Sequence, residues 1–434
     1  MFSTVINALK VKDIRHKIFF TLGILIVFRL GSYITVPGVN AHALQSISSS
    51  GLVGILNTFS GGGLTNYSIF AMGVSPYITA QIIVQLLQMD IVPKFVEWSK
   101  QGEVGRRKLN QATRWLTIVL AFAQSIGITA GFNYLSQMNL VETPNVHTFL
   151  TIGLILTAGT MLTTWLGDMI TERGIGQGVS MIIFAGIIAR TPTGIQQIYT
   201  EQFVNTPKSQ WGQSFLYVGL ILLAVLAIVI FVTWVQQASR KIPIQYTRRA
   251  SSASDSSYLP LKVNVAGVIP VIFASSFIST PQTILMAFAS SHSEDDWYNI
   301  LTNVFNMQTT DGAILYTVLI VLFTFFYAFV QVNPEKLAEN LQKQGSYIPG
   351  VWPGKKTQSY VSSLLIRLSV VGALFLGLVA LIPLLASNIF GLDESIGLGG
   401  TSLLIVVGVA IQLFDQLEGL MMKREYHSES PSLS

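Results

Sequence analysis

Chemistry at a reacting centre needs titratable or nucleophilic side chains gathered at defined spacings, and this chain offers few. Its five His residues, at 16, 42, 147, 292 and 427, are scattered, no His-Glu-x-x-His pair occurs and Cys is absent, so neither a metal centre nor a thiol nucleophile is expected. No Gly-x-x-x-x-Gly-Lys-Ser/Thr run is present to cradle phosphates, so the energy for any work must come from elsewhere. The expectation is a protein without cofactor or enzymatic activity. What does recur at meaningful spacing is amides, glycines and β-branched aliphatics. On a helix Ile78 and Ile82 lie one turn apart on one face, while Gln81, Gln85 and Gln88 share another. Just upstream, residues 58–73 are polar and Gly-rich, with Ser60, Gly61, Gly62, Gly63 and Leu64 at their centre.

The elements that carry these residues follow from composition. Of 434 residues 50% are hydrophobic and only 11% are Asp, Glu, Lys or Arg, and the mean hydropathy is +0.55. Soluble domains carry about 25% of those charged residues, so a water-facing surface of this size cannot be clothed. The high apolar fraction excludes disorder, and the lack of Cys excludes a disulfide scaffold. An integral membrane protein remains. Apolar runs about 20 residues long, enough to cross a hydrocarbon core of about 30 Å, occur at about 18–36, 72–92, 113–133, 148–167, 179–195, 214–236, 264–288, 312–333, 367–387 and 398–421. The first is too long for a removable signal peptide and is interrupted by Arg29.

Orientation follows from Lys and Arg, which mark short cytoplasmic loops. With the N-terminus inside, only Arg190 and Lys208 of the 26 cations fall in outside segments, and Arg29 lies within a span. Ten spans with both termini cytoplasmic result, in an all-α protein. They divide into two sets of five with opposite orientation, residues 1–200 and 201–434, an arrangement that often places a pathway at the midplane. The longest inside loops, about 237–263 and 334–366, are where a large cytosolic partner would dock.

Ion-coupled carriers place ionisable groups inside their spans, each costing about 2.5–3.5 kcal/mol on insertion scales. Here Arg29 is the only charge well inside a span, whereas Asp168, Glu172, Arg173, Asp415 and Glu418 sit at inner span ends. A coupled carrier is disfavoured, although a solute carrier of the inverted-repeat type stays open as the alternative. The polar 58–73 segment cannot face lipid, where an unpaired amide costs several kcal/mol, so it is either a short re-entrant segment or an ordinary external loop. Nor should the Gln81, Gln85 and Gln88 stripe face lipid.

Longer motifs add a resemblance. Phe59-Ser60-Gly61-Gly62-Gly63 leading to Met72-Gly73-Val74-Ser75-Pro76-Tyr77-Ile78 resembles the first signature of the SecY protein translocation channel family. The run from Trp165 to Ser180, through Gly174-Ile175-Gly176-Gln177-Gly178, resembles the second. Leu259-Pro260-Leu261-Lys262-Val263-Asn264 and Gly399-Gly400-Thr401-Ser402-Leu403-Leu404-Ile405 are similar to that family's entries to spans seven and ten.

The resemblance implies a bacterial plasma-membrane channel for unfolded polypeptides, with two five-helix halves hinged like a clamshell. Its apolar pore ring carries to Ile78, Ile82, Val179, Ile183, Ile272 and Ile405. The plug carries to about 56–70, including Ser60, Gly61, Gly62, Gly63 and Leu64. A lateral gate toward membrane lipid lies between spans two and three and spans seven and eight, with Gln85 and Asn264 as gate residues. Arg248, Arg249, Lys355 and Lys356 would meet the ribosome or the SecA motor ATPase. The implied partners also include the small SecE and SecG subunits and a signal-bearing polypeptide. One departure stands out: Trp352 occupies a position where the family usually has Arg, so Lys355 or a stacking contact would have to replace that charge.

Overall fold

The computed structural model describes residues 2–46, 51–135, 139–247, 257–390 and 400–429. After α1 (Phe2–Lys10) and α2 (Lys12–Gly31) come α3 (Gly51–Ser60), a run of turns over 61–74, and α4 (Ser75–Leu87). The short α5 (Pro93–Lys100) precedes three long helices, α6 (Glu103–Leu135), α7 (Val146–Arg173) and α8 (Gly178–Tyr199). α9 (Trp211–Gln237) leads into two strands, β1 (Ser239–Pro243) and β2 (Gln245–Tyr246), then β3 (Tyr258–Lys262) and α10 (Ile269–Met286). Two short helices, α11 (Ala289–His292) and α12 (Asp296–Val304), precede α13 (Thr310–Gln331), α14 (Pro334–Lys343), β4 (Ser346–Tyr347), α15 (Lys355–Phe390) and α16 (Gly400–Glu429).

Each of the ten apolar runs overlaps a helix. Eight of these helices, α6 to α10, α13, α15 and α16, are long and apolar enough to cross a membrane by length and composition. The other two are α2, whose first turns hold Lys12, Asp13, Arg15 and Lys17, and α4. Span two, expected over 72–92, contracts to a helix of 13 residues, about 20 Å at 1.5 Å per residue. The physical reason lies at its start, where left-handed Gly73 (φ 57°) breaks the backbone and Pro76 presets the first turn. The expected loop at 334–366 is also largely helical. Asn333 accepts hydrogen bonds from the amides of Glu335 and Lys336 to cap α14, and α15 begins directly after left-handed Gly354.

Packing gathers the helices round one dominant apolar cluster, to which α2, α4, α8, α10, α13, α15 and α16 all contribute. α6 packs on α7, α4 and α10, while α13 packs on α10 and α15. A second cluster, with Leu56, Leu64, Tyr67, Ile128 and Phe132, surrounds the turns before α4. α9 is apolar all round and exposes Phe215, Leu220, Leu223, Leu226, Ile230 and Trp234, as a helix facing hydrocarbon should.

Candidate functional site

Ile78 and Ile82 of α4, Ile183 of α8, Ile272 of α10 and Ile405 of α16 are all buried in the dominant cluster, and half-buried Val179 packs against them. Residues 200 and more positions apart thus meet because α4, α8, α10 and α16 converge. Ile78, Val179, Ile183 and Ile272 line one cavity of about 20 Å³, room for about a single water, with Gln81 and Gln177 on its wall. Ile82 and Ile405 are not on that wall but belong to the same cluster. A narrow space walled largely by aliphatics offers water few hydrogen bonds and tends to dewet. The three amides Gln81, Gln85 and Gln88 are half-buried, none fully exposed.

Residues 56–70 fold inside the protein instead of hanging as an external loop. Leu56, Phe59, Ser60, Leu64, Tyr67, Ser68 and Phe70 are all buried. α3 ends where Gly61 adopts φ 63° and the Gly62 amide bonds back to the Asn57 carbonyl at 3.0 Å, a Schellman closure that glycine makes without a Cβ penalty. The glycines also permit close approach. A Cβ on Gly186 of α8 would stand 2.4 Å from Gly61 Cα, and one on Gly73 would stand 2.2 Å from the Phe59 carbonyl oxygen. Tyr67, fully buried and held at φ 44°, shares a 2.6 Å hydrogen bond with Thr129 of α6. Nothing in the spacing around Tyr67 announced that anchor.

Between α4, α6 and α10 runs a seam of hydroxyls that the sequence reading did not single out. Thr79 Oγ1 lies 2.9 Å from Ser276 Oγ and 2.8 Å from Thr280 Oγ1, and Ser276 Oγ donates to the Ser75 carbonyl at 3.0 Å. Gln124 of α6 donates to Thr280 Oγ1 at 2.7 Å. Gly127 of the same helix abuts backbone, since a Cβ there would lie 2.3 Å from the Thr283 carbonyl oxygen. The available signal was the four-residue spacing of Ser75 with Thr79 and of Ser276 with Thr280. Neither Gln85 nor Asn264 hydrogen-bonds into this seam. Asn264, buried, donates to the Gly267 carbonyl at 3.0 Å and lies against Gly372 of α15, and its Oδ1 and the Gln85 Oε1 are both buried without a hydrogen-bond partner.

Two of the span-end charges are paired. Asp168 bonds Arg114 at 3.1 Å, and Asp415 pairs with Lys262. β1 pairs antiparallel with β3 within the loop after α9, and β2 pairs with β4, which stitches that loop to the one after α13. Lys355 and Lys356 are exposed at the start of α15, and Trp352 beside them is 73% exposed. Arg248 and Arg249 lie outside the described residues. Among the described residues no group of His, Asp or Glu is arranged to hold a metal.

The family model for SecY matches residues 68–414, a stretch that contains α4 with Ile78 and Ile82, the hydroxyl seam and Ile405. The chain belongs to the SecY family. It is 63% identical to protein translocase subunit SecY 1 of Lactobacillus kefiranofaciens subsp. kefiranofaciens, across 98% of this chain and 99% of that relative. With protein translocase subunit SecY of Lactococcus lactis subsp. cremoris it shares 57% identity, across 98% and 97%. Its fold is similar to that of a SecY translocation channel described as having a plug domain that stabilises the closed state and maintains a membrane seal, at a TM-score of 0.66, 17% identity and coverage of 96% and 95%. It is also similar to Sec61 in the canine ribosome–channel complex, at 0.62, 16% identity and the same coverage. The SecY-family chain is a multi-pass membrane protein and a subunit of a protein-translocating channel.

Proposed function

We propose that Ile78, Ile82, Val179, Ile183, Ile272 and Ile405 form the pore ring through which unfolded polypeptide passes, sealed at rest by residues 56–70 with Ser60, Gly61, Gly62, Gly63 and Leu64. The carrying observation is that these six aliphatics, from four helices spread along the chain, belong to one apolar cluster that also includes Phe59 and Phe70 of the plug. Such a ring excludes water and ions when empty and yields to a passing side chain when occupied.

The lateral gate is the contact of α4 and α6 with α10, closed by the Thr79, Ser276, Thr280 and Gln124 hydrogen bonds. Gln85 and Asn264 flank it with unsatisfied acceptors, ready for donors that arrive with a bound signal sequence. An apolar segment that parts this seam gains about 25 cal/mol per Å² on reaching hydrocarbon, enough to offset several neutral hydrogen bonds of about 1 kcal/mol each. Residues 1–200 and 201–434 are the two halves that separate. In the bacterial plasma membrane, with both termini cytoplasmic, SecE and SecG accompany the channel, and Lys355, Lys356, Arg248 and Arg249 receive SecA or the ribosome.

A disulfide tests the gate. Thr79→Cys with Ser276→Cys places two sulfurs where hydroxyl oxygens lie 2.9 Å apart, near bonding range in a chain without other cysteines. Oxidation should abolish release of transmembrane segments into lipid and reduction should restore it. Release that continues with the disulfide formed contradicts the gate assignment.

A further inference from the structure

Arg29 stands in the last turn of α2, within the first apolar run, and neither the ring nor the seam uses it. An in-membrane arginine commonly snorkels its guanidinium toward water. Here Arg29 is half-buried and its fork is engaged by protein groups. Nη1 donates to the Gly61 carbonyl at 2.7 Å, and Nη2 donates to the Tyr33 hydroxyl at 2.9 Å, with the guanidinium 4.9 Å from the Tyr33 ring centroid. No carboxylate pairs with Arg29 among the described residues.

Gly61 is the residue at which α3 terminates, so its carbonyl stands at the negative pole of that helix, where a cation is favoured. α2 holds the other end of the same turn through Phe28, whose ring stacks on Phe70 at 5.4 Å. Gly31 of α2 admits the Phe70 ring, which a Cβ there would strike at 2.1 Å. Arg190 of α8 meets the same turn, its Cγ 3.8 Å and the Arg29 Nη1 3.5 Å from where a Gly62 side chain would begin. α2 therefore clasps the plug at both ends of its turn, by charge at Gly61 and by an aromatic stack at Phe70.

We infer that Arg29 is the latch of the plug: a positioning residue whose charge-assisted bond to the Gly61 carbonyl must break before the plug leaves the pore, and which sets the resting leak of the channel. The inference rests on the plug reading of residues 56–70. A half-buried, charge-assisted bond of this type is strong enough to change the displaced fraction of the plug by about tenfold.

The test is ion conductance of the complete reconstituted channel complex in planar bilayers, for the parent, Arg29→Gln, a deletion of residues 56–70, and the two combined. Arg29→Gln should raise resting conductance about tenfold, the deletion should raise it further, and Arg29→Gln should add nothing in the deleted channel. If the deletion leaks and Arg29→Gln does not, the latch is wrong and the plug reading stands. If the deletion itself does not leak, the plug reading falls and the latch falls with it. An equal rise from Arg29→Gln with and without residues 56–70 places its effect elsewhere and also overturns the latch. Should Arg29→Gln fail to accumulate, Arg29→Lys keeps the charge and one bond and should leak a few-fold more than the parent; parental conductance there contradicts the proposal.

Discussion

The Thr79 hydroxyl of α4 and the Ser276 hydroxyl of α10 share a 2.9 Å hydrogen bond across a contact between residues 197 positions apart. Both belong to helices with Pro in the first turn, and Thr280, one turn on, accepts from Gln124 of α6 as well. Two distant parts of the chain are thus joined by neutral, exchangeable bonds beside their shared apolar cluster. Such a joint holds at rest and parts without exposing a charge.

Weakening that joint should ease opening. Thr79→Val with Ser276→Ala removes several neutral bonds, each worth about 0.5–1.5 kcal/mol. Export of precursors with shortened or less apolar signal sequences should rise severalfold in a translocation assay. Unchanged discrimination would show that the seam does not set the threshold.

The ring makes an independent prediction. Ile82→Asn or Ile405→Asn puts an amide into a site that is 0% or 3% exposed, inviting water into the constriction. Resting conductance in bilayers should increase, and signal selection should relax. A conductance equal to the parent would remove the substituted residue from the ring.

At the plug, a single methyl group is decisive. Gly186→Ala places a Cβ 2.4 Å from Gly61 Cα, where backbone meets backbone and no flexible side chain can yield. Gly61→Ala instead forces an L residue to φ 63°, at a cost of roughly 1–2 kcal/mol. Both variants should leak ions while retaining membrane insertion; protease protection and conductance together separate leak from misfolding.

If the exposed Lys355 and Lys356 receive a partner, their contribution is electrostatic. Lys355→Glu with Lys356→Glu should weaken ribosome or motor binding most at low salt, with the difference shrinking as ionic strength rises and the screening length falls below about 10 Å. Trp352→Ala should weaken it independently of salt, since the 73% exposed indole contributes area and stacking rather than charge. Binding curves across a salt series distinguish the two contributions.

Much of this architecture was legible in the residues. The apolar runs located the helices, because hydrocarbon thickness acts on sequence directly. The Phe59 to Gly63 run was legible as irregular backbone because glycines at Gly61 and Gly73 are needed for positive φ and close approach. The hydroxyl seam was not. Ser and Thr within a span bond their own preceding turn as readily as a neighbour, as Thr117 and Thr324 do here, so only the packing of α4 on α10 tells the two uses apart. Tyr67 was hidden for a similar reason: its strained backbone is held by a partner 62 residues away. The gate residues expected at Gln85 and Asn264 lie beside the seam rather than in it, since Asn264 is drawn to the turn at Gly267 and to α15.

The central claim is that polypeptide passes through the ring, and one crosslink addresses it directly. The chain has no Cys, so Ile82→Cys gives a single thiol at the constriction. Paired with one Cys in a stalled, signal-bearing secretory chain, it should form a disulfide adduct only when the stalled chain is engaged. No adduct at Ile82, with neighbouring positions of α4 equally silent while the chain is engaged, would contradict a pore lined by this ring.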